Sequence, residues 1–286
     1  MARRLSAVVV GAGVGGLAAA ARLAHAGLEV QVLEQNAAPG GRCAQLQADG
    51  YTFDMGPTIL LMPEVVERTF QALGRQMSAY LRLRRCEPNY TIRFRDGSRL
   101  TLGSDLTRMG EELERIEPGS FSRFLRFLEL GRMQYRTSLD RFVTRNFDHL
   151  GQFLTPASIR AIFRARAHRR LYSVASELFR DERLRAAVTF QTMYLGISPY
   201  DSPAVYGLLP FSELGVGIWF PEGGLYALPR ALERLAREAG VRIAYRTRVK
   251  RITFEGKRAT GVLLDDETRL PADLVLCNAD LPWAYR

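Results

Sequence analysis

Gly11, Gly13 and Gly16 stand in the spacing Gly-x-Gly-x-x-Gly, and Glu34 follows 18 residues after the last of them. Glycines so placed permit a tight turn, close approach of a pyrophosphate to bare backbone, and close packing of a helix on a strand. A helix that begins at such a loop turns its first N–H groups and the positive end of its dipole toward the anion. A carboxylate at the position of Glu34 suits hydrogen bonds from ribose hydroxyls and repels a 2′-phosphate. Ala12 and Gly15 inside the loop, and Gln35 beside Glu34, complete the expected contact set. The chemistry is dinucleotide recognition; the competing reading of Glu34 is a solvated acid at a strand end.

These residues need a strand, a turn, a helix and a second strand to hold them. Ser6 to Val10 is a short apolar run rich in valine that stops at Gly11, and an alanine-rich helical pattern follows to about Ala26, where Gly27 ends it. Val30 to Leu33 reads as a second buried strand with Glu34 at its carboxyl end. The uncharged run from Leu5 to Ala21 is neither a leader nor a membrane span. Gly11, Gly13, Gly15 and Gly16 interrupt it at about 1 kcal/mol of helix propensity each, and a span needs roughly 20 apolar residues.

The strand-helix-strand unit does not separate NAD from FAD, and the segment after it does. Pro39-Gly40-Gly41-Arg42 follows Glu34 at the spacing found in the superfamily of amine oxidases, protoporphyrinogen oxidases and carotenoid desaturases. The resemblance implies that FAD is the cofactor, that Gly41 lets the loop pass close to the pyrophosphate, and that Arg42 supplies a fixed positive charge nearby. Phe53-Asp54-Met55-Gly56-Pro57-Thr58 resembles the bacterial and fungal phytoene desaturase family, in which Gly56 and Pro57 would turn the chain beside the flavin and Thr58 would hydrogen-bond it. Without the family, that stretch is a turn between strand and helix.

Three later blocks extend the resemblance from end to end: Met193 to Pro203, Gly217 to Gly224, and Cys277-Asn278-Ala279-Asp280 through Trp283. By the same resemblance the backbone of Val249 faces the adenine. Members of the family continue for roughly two hundred further residues, so this stretch is expected either to be part of a longer chain or to be completed by a separate one.

Composition narrows the rest. Cys43, Cys86 and Cys277 have no paired spacing, and the three histidines are scattered, so neither a disulfide framework nor a metal centre is expected. The net charge of +10 is concentrated in residues 60–190, which carry 24 arginines against 15 acids. There, Phe121, Phe124, Leu125, Phe127 and Leu128 interleave with Arg123, Arg126 and Arg132, and Ile159 to Tyr172 repeats the mixture. Such a pattern suits either a core face or a helix lying in an anionic membrane interface, and the membrane is preferred because the implied substrate dissolves only in lipid. No nucleic-acid motif accompanies the arginines.

The expected architecture is α/β. A Rossmann-like FAD-binding domain, with a parallel sheet and a β-meander running from Val249 through Val262 and Leu274, is built from residues 1–85 and 222–286. A mixed β-sheet and helical substrate domain occupies 86–221 and begins with a hairpin, Tyr90 to Phe94 and Arg99 to Leu102, turned at Asp96-Gly97. The resemblance implies an FAD-dependent carotenoid desaturase, removing hydrogen from a precursor such as phytoene by hydride transfer to flavin, cytoplasmic and peripheral on the membrane. No pair of catalytic side chains stands out. Trp219 and Phe220 suit either a tunnel wall or simple core. The alternatives are a carotenoid isomerase or other flavin oxidase of the superfamily, and a non-catalytic flavin-binding module.

Overall fold

The structure, a computed structural model, describes residues 3–285. The chain divides into two compact units: residues up to Arg84 together with those from Trp219 onward, and Arg85–Ile218 between them in sequence.

The first unit is organised around β1 (Ser6–Val10), α1 (Val14–His25) and β2 (Glu29–Leu33). β1 lies in a four-stranded parallel sheet, with Leu274–Cys277 on one side and β2 on the other, and Arg242–Ala244 beyond β2. Residues of opposite parity face opposite sides of a strand. Ala7, Val9, Val30 and Val32 accordingly pack with Leu17, Ala20 and Ala21 of α1 and Leu228, Leu232 and Leu235 of the helix Ala227–Glu238. Val8 and Leu33 pack on the other face with Val262, Leu264 and Ala272. Burial on both faces explains why β1 is an unbroken apolar run rather than an alternating one.

The antiparallel meander comprises Val249–Glu255, Arg258–Leu264 and Arg269–Pro271. Leu274, expected within the meander, instead pairs with Ala7 in the parallel sheet. The reason lies at Asp273, whose carboxylate accepts the N–H of Ser6 at 2.8 Å and its hydroxyl at 2.9 Å, steering the chain onto β1.

The second unit holds one hairpin, Tyr90–Arg93 with Arg99–Leu102, and a succession of helices. Leu106–Ile116 is capped by Asp105, which accepts the N–H groups of Thr107 and Arg108. The long helix Ser120–Ser138 sends Phe124 and Phe127 into a core with Leu100, Leu102, Leu113 and Phe179, so this basic amphipathic stretch provides a core face. The helix Pro156–Arg164 behaves differently, leaving Ile159 and Phe163 in solvent. Among the described residues no helix is long and apolar enough to cross a membrane.

Candidate dinucleotide site

The glycine loop sits at the junction of β1 and α1. Gly11 adopts φ +96°, open to glycine alone at little cost, and its N–H donates to the carbonyl of Leu33 at 2.8 Å. A Cβ on Gly16 would fall 2.1 Å from the Gly11 carbonyl oxygen, so the close packing of helix on turn demands the third glycine. Gly13 is the N-cap of α1 and offers no side chain to cap the first turn. The amides at that end are therefore available to an anion, reinforced by the dipole of a 12-residue helix.

Glu34 is 4% exposed, and its carboxylate turns back into the loop. Oε2 accepts the N–H of Ala12 at 2.7 Å, while Oε1 accepts both the backbone N–H and the side-chain amide of Asn36 at 2.9 Å. A carboxylate has about four acceptor sites. Three are used here, which leaves Oε2 able to take one hydroxyl. The backbone of Glu34 accepts from Thr247, and that of Asn36 from Arg246, which brings the start of the meander alongside and places Val249, half-buried and opposite Leu264, two residues on. Gln35 lies exposed between Glu34 and Asn36.

The second glycine segment is stitched to the first. Gly40 donates to the carbonyl of Ala12 at 2.9 Å and pairs with Gly13 in a parallel bridge; a Cβ on Gly41 would meet the Gly13 α-carbon at 3.5 Å. A Cβ on Gly56 would lie 1.9 Å from the Arg42 carbonyl oxygen, so the segment Gly56, Pro57 and Thr58 backs directly onto this loop, with all three residues exposed. Arg42 is exposed, and its guanidinium pairs with Asp280 at 3.2 Å.

Two site residues escaped the reading of the sequence. Asn278 donates its N–H to the carbonyl of Val10, and its side chain lies over the loop: a Cβ on Gly13 would meet its Nδ2 at 3.0 Å, and one on Gly15 its Oδ1 at 2.8 Å. The Asn-Ala-Asp segment was visible, but its placement beside Gly13 follows only from Leu274–Cys277 being the neighbour of β1. Asp54 is the other, binding the turn at Leu225 from the side opposite in sequence. Near Asp54, Cys43 is buried with its thiol against the Leu225 carbonyl; burial, then the charge of Asp54, pushes its pKa up and makes it a poor nucleophile. Trp219 pairs with Leu60 and packs partly buried against the first unit's core, and Phe220 is partly exposed.

The donor set fits FAD. One helix end is free of side-chain caps, one buried carboxylate has spare acceptor capacity, and two glycine segments lie in backbone contact.

Comparison with known proteins agrees with that chemistry. Residues 14–285 match the family described as flavin containing amine oxidoreductase. The chain is 64% identical over 278 residues to a zeta-carotene-forming phytoene desaturase of Myxococcus xanthus, covering 97% of this chain and 54% of the relative. It is 42% identical over 282 residues to a phytoene desaturase of Phycomyces blakesleeanus, covering 97% of this chain and 48% of the relative. The chain thus spans about half the length of the curated relatives it matches. Among solved structures, an oxidoreductase from Methanosarcina mazei superposes with a TM-score of 0.63 at 22% identity, over 98% of this chain and 60% of that one, which speaks to the fold alone. With its family match running from the helix of the glycine loop to the end of the described residues, the chain belongs to the flavin containing amine oxidoreductase family, and FAD is its cofactor.

Proposed function

We propose that this chain carries the nucleotide-binding part and a substrate-facing unit of a carotenoid desaturase acting on a polyene precursor such as phytoene. The observation that carries the reading is the 64% identity to a zeta-carotene-forming desaturase, sustained over nearly the whole chain. Gly13, Gly15 and Gly16 would hold the pyrophosphate through backbone amides, with Gly11 and Ala12 shaping the turn while their own amides serve Leu33 and Glu34. Glu34 would take a ribose hydroxyl and Val249 the adenine, with Gln35 at the rim. Gly41, Arg42, Gly56, Pro57 and Thr58 would line the flavin side. When bound, the flavin supplies a two-electron acceptor for hydride.

What the chain itself contributes is binding, orientation and exclusion of water rather than acid–base chemistry. Asn278 positions the loop amides, and Asp280 restrains Arg42. The excess of arginine in residues 60–190 supports a location on the surface of the cytoplasmic membrane, where a lipid-dissolved polyene is available.

The test is to incubate the purified chain with FAD and phytoene in liposomes, alone and with the C-terminal half of the Myxococcus xanthus relative added. Pigments are then identified by chromatography and mass. Desaturation lowers the mass by two hydrogens per step. Product of unchanged mass would assign an isomerase instead, and bound FAD without product in either arm would assign a non-catalytic module.

A further inference from the structure

Two cavities of about 280 and 550 Å³ in the unit Arg85–Ile218 share Met133, Thr137 and Arg164 in their walls. Together they form one groove between the helix Ser120–Ser138, with its continuation Leu139–Val143, and the helix Pro156–Arg164. Arg126, Arg132, Arg136, Arg141, Arg160 and Arg164 line it, against a single acid, Glu129. Glu129 is already engaged by the guanidinium of Arg132 through both oxygens at 2.7 Å. The other five arginines have no carboxylate within ion-pair distance among the described residues.

Five guanidinium groups without a direct ion pair, of which Arg136 lies within electrostatic reach of Glu129, stand around one depression, repel each other and create a positive potential. Their planar donors match an anion with several oxygens, phosphate above all. Leu130, Met133, Ala157 and Ala161 make part of the lining apolar.

The surroundings select the source of the phosphate. Val143, Leu150, Leu154 and Phe163 are each more than half exposed, at 67, 77, 56 and 60%, and Ile159 is 42% exposed. Phe142, Phe147 and Phe153 pack against one another with ring centroids 5.2 to 6.4 Å apart, so the segment before Pro156 has its own small core and still presents its aliphatic residues outward. A soluble phosphate needs the arginines alone, and a nucleic acid gains nothing from exposed valine and leucine. Arginines that bind phosphate beside aliphatic residues that enter acyl chains match the boundary of a lipid layer.

We infer that this groove receives the phosphate headgroup of an anionic phospholipid, with the neighbouring aliphatic residues seated in the acyl boundary. The inference deepens the membrane location proposed above and rests on it, while requiring neither FAD nor turnover.

The test is flotation of the 286-residue chain with vesicles of phosphatidylcholine, with or without phosphatidylglycerol, in the absence of phytoene. The chain is expected to float only with the anionic vesicles. Replacing Arg136, Arg160 and Arg164 together by Gln should weaken binding roughly a hundredfold, since each basic residue near an anionic surface contributes about a factor of five. The same charge change at exposed Arg93, Arg95 and Arg180 in the same unit should change it far less. A second variant, Leu150→Ser with Phe163→Ser, should also weaken it while leaving the arginines in place. Equal losses in both arginine triplets would assign binding to diffuse charge and overturn the inference. So would inorganic phosphate displacing the vesicles at low concentration, unchanged binding by the serine variant, or binding of duplex DNA that depends on the groove while vesicle binding does not. Because no product is measured, failure of the desaturation assay and failure of flotation are separate results.

Discussion

The carboxylate of Asp54 accepts the backbone N–H of Leu225 at 2.7 Å, joining segments 171 residues apart in sequence. Its other oxygen reaches the N–H of Tyr226 at 3.4 Å, and Gly224, at φ +92°, is pressed so close that a Cβ would lie 2.7 Å from the carboxylate. Asp54 therefore fixes the turn that launches the helix Ala227–Glu238, which is one wall of the first unit's core. The Phe-Asp-x-Gly-Pro-Thr segment thus supplies the acceptor, and Leu225 and Tyr226, directly after Pro221-Glu222-Gly223-Gly224, supply the donors.

Removing that acceptor has a direct cost. A hydrogen bond to a charged group contributes about 1.5 to 3 kcal/mol, so Asp54→Ala is expected to lower stability by about that amount, and Asp54→Asn by less because an amide oxygen can still accept from Leu225. Urea denaturation at neutral pH measures it, and an unchanged midpoint for Asp54→Ala would remove Asp54 from this role.

The glycine loop offers a graded series. Gly16→Ala forces a Cβ to 2.1 Å from a backbone oxygen that cannot move without unseating α1, and is expected to cost more than about 3 kcal/mol or prevent folding. Gly15→Ala meets only the Asn278 side chain at 2.8 Å. Combining Gly15→Ala with Asn278→Ala should recover about 1 kcal/mol relative to the sum of the single changes, the coupling usual for residues in contact. Strict additivity in thermal denaturation would show that Asn278 does not lie over the loop.

Much of this was legible in the sequence because it is local. The spacing of Gly11, Gly13 and Gly16 from Glu34 fixes strand, turn, helix and strand within about thirty residues, each element signalled by its own residues. Gly40 and Gly41 were legible as a motif, although not as a bridge to Gly13. The parts that were hidden depend on contacts distant in sequence. Nothing near Asn278 says that its strand is the neighbour of β1, and nothing near Leu274 distinguishes a meander strand from a parallel one until Asp273 is seen bound to Ser6. Phe124 and Phe163 occupy similar mixtures of arginine and aromatic residues, yet one is 1% and the other 60% exposed. Periodicity marks an apolar face without saying what covers it.

Glu34 should report on the nucleotide directly. Glu34→Gln puts an amide N–H₂ where Ala12 or Asn36 now presents a donor, setting donor against donor. The expected result is a loss of about 1 to 3 kcal/mol in stability and FAD binding weakened roughly tenfold or more, followed by quenching of flavin fluorescence. Glu34→Gln with wild-type FAD affinity would mean that the carboxylate holds the loop and does not meet the ribose.

The pH dependence of stability should carry the signature of Glu213, which lies in the second unit with no exposed surface. Its Oε2 accepts the Tyr90 hydroxyl at 2.9 Å and the Gln191 amide at 3.1 Å, while Oε1 is buried without a partner. Burial raises its pKa above the ordinary 4.5, and hydrogen bonds from Tyr194, Gln191 and Tyr90 oppose the rise without cancelling it. The folded chain therefore holds this proton at pH values where the unfolded chain has released it. The stability tied to the proton is complete below the unfolded pKa and is lost as pH rises through the folded one, at up to about 1.4 kcal/mol per pH unit while only the folded state is protonated. Glu213→Gln resembles the protonated acid and should abolish that loss, becoming more stable than wild type at alkaline pH. Tyr90→Phe removes a bond that favours the charged form and should extend the loss to higher pH. The measurement is the difference between wild type and Glu213→Gln in urea denaturation across the acid-to-alkaline range. The difference cancels other carboxylates, such as exposed Asp96 and half-buried Asp273, whose depressed pKa values act in the opposite sense at low pH. Parallel curves for the two proteins would show that Glu213 carries no excess proton in the folded state.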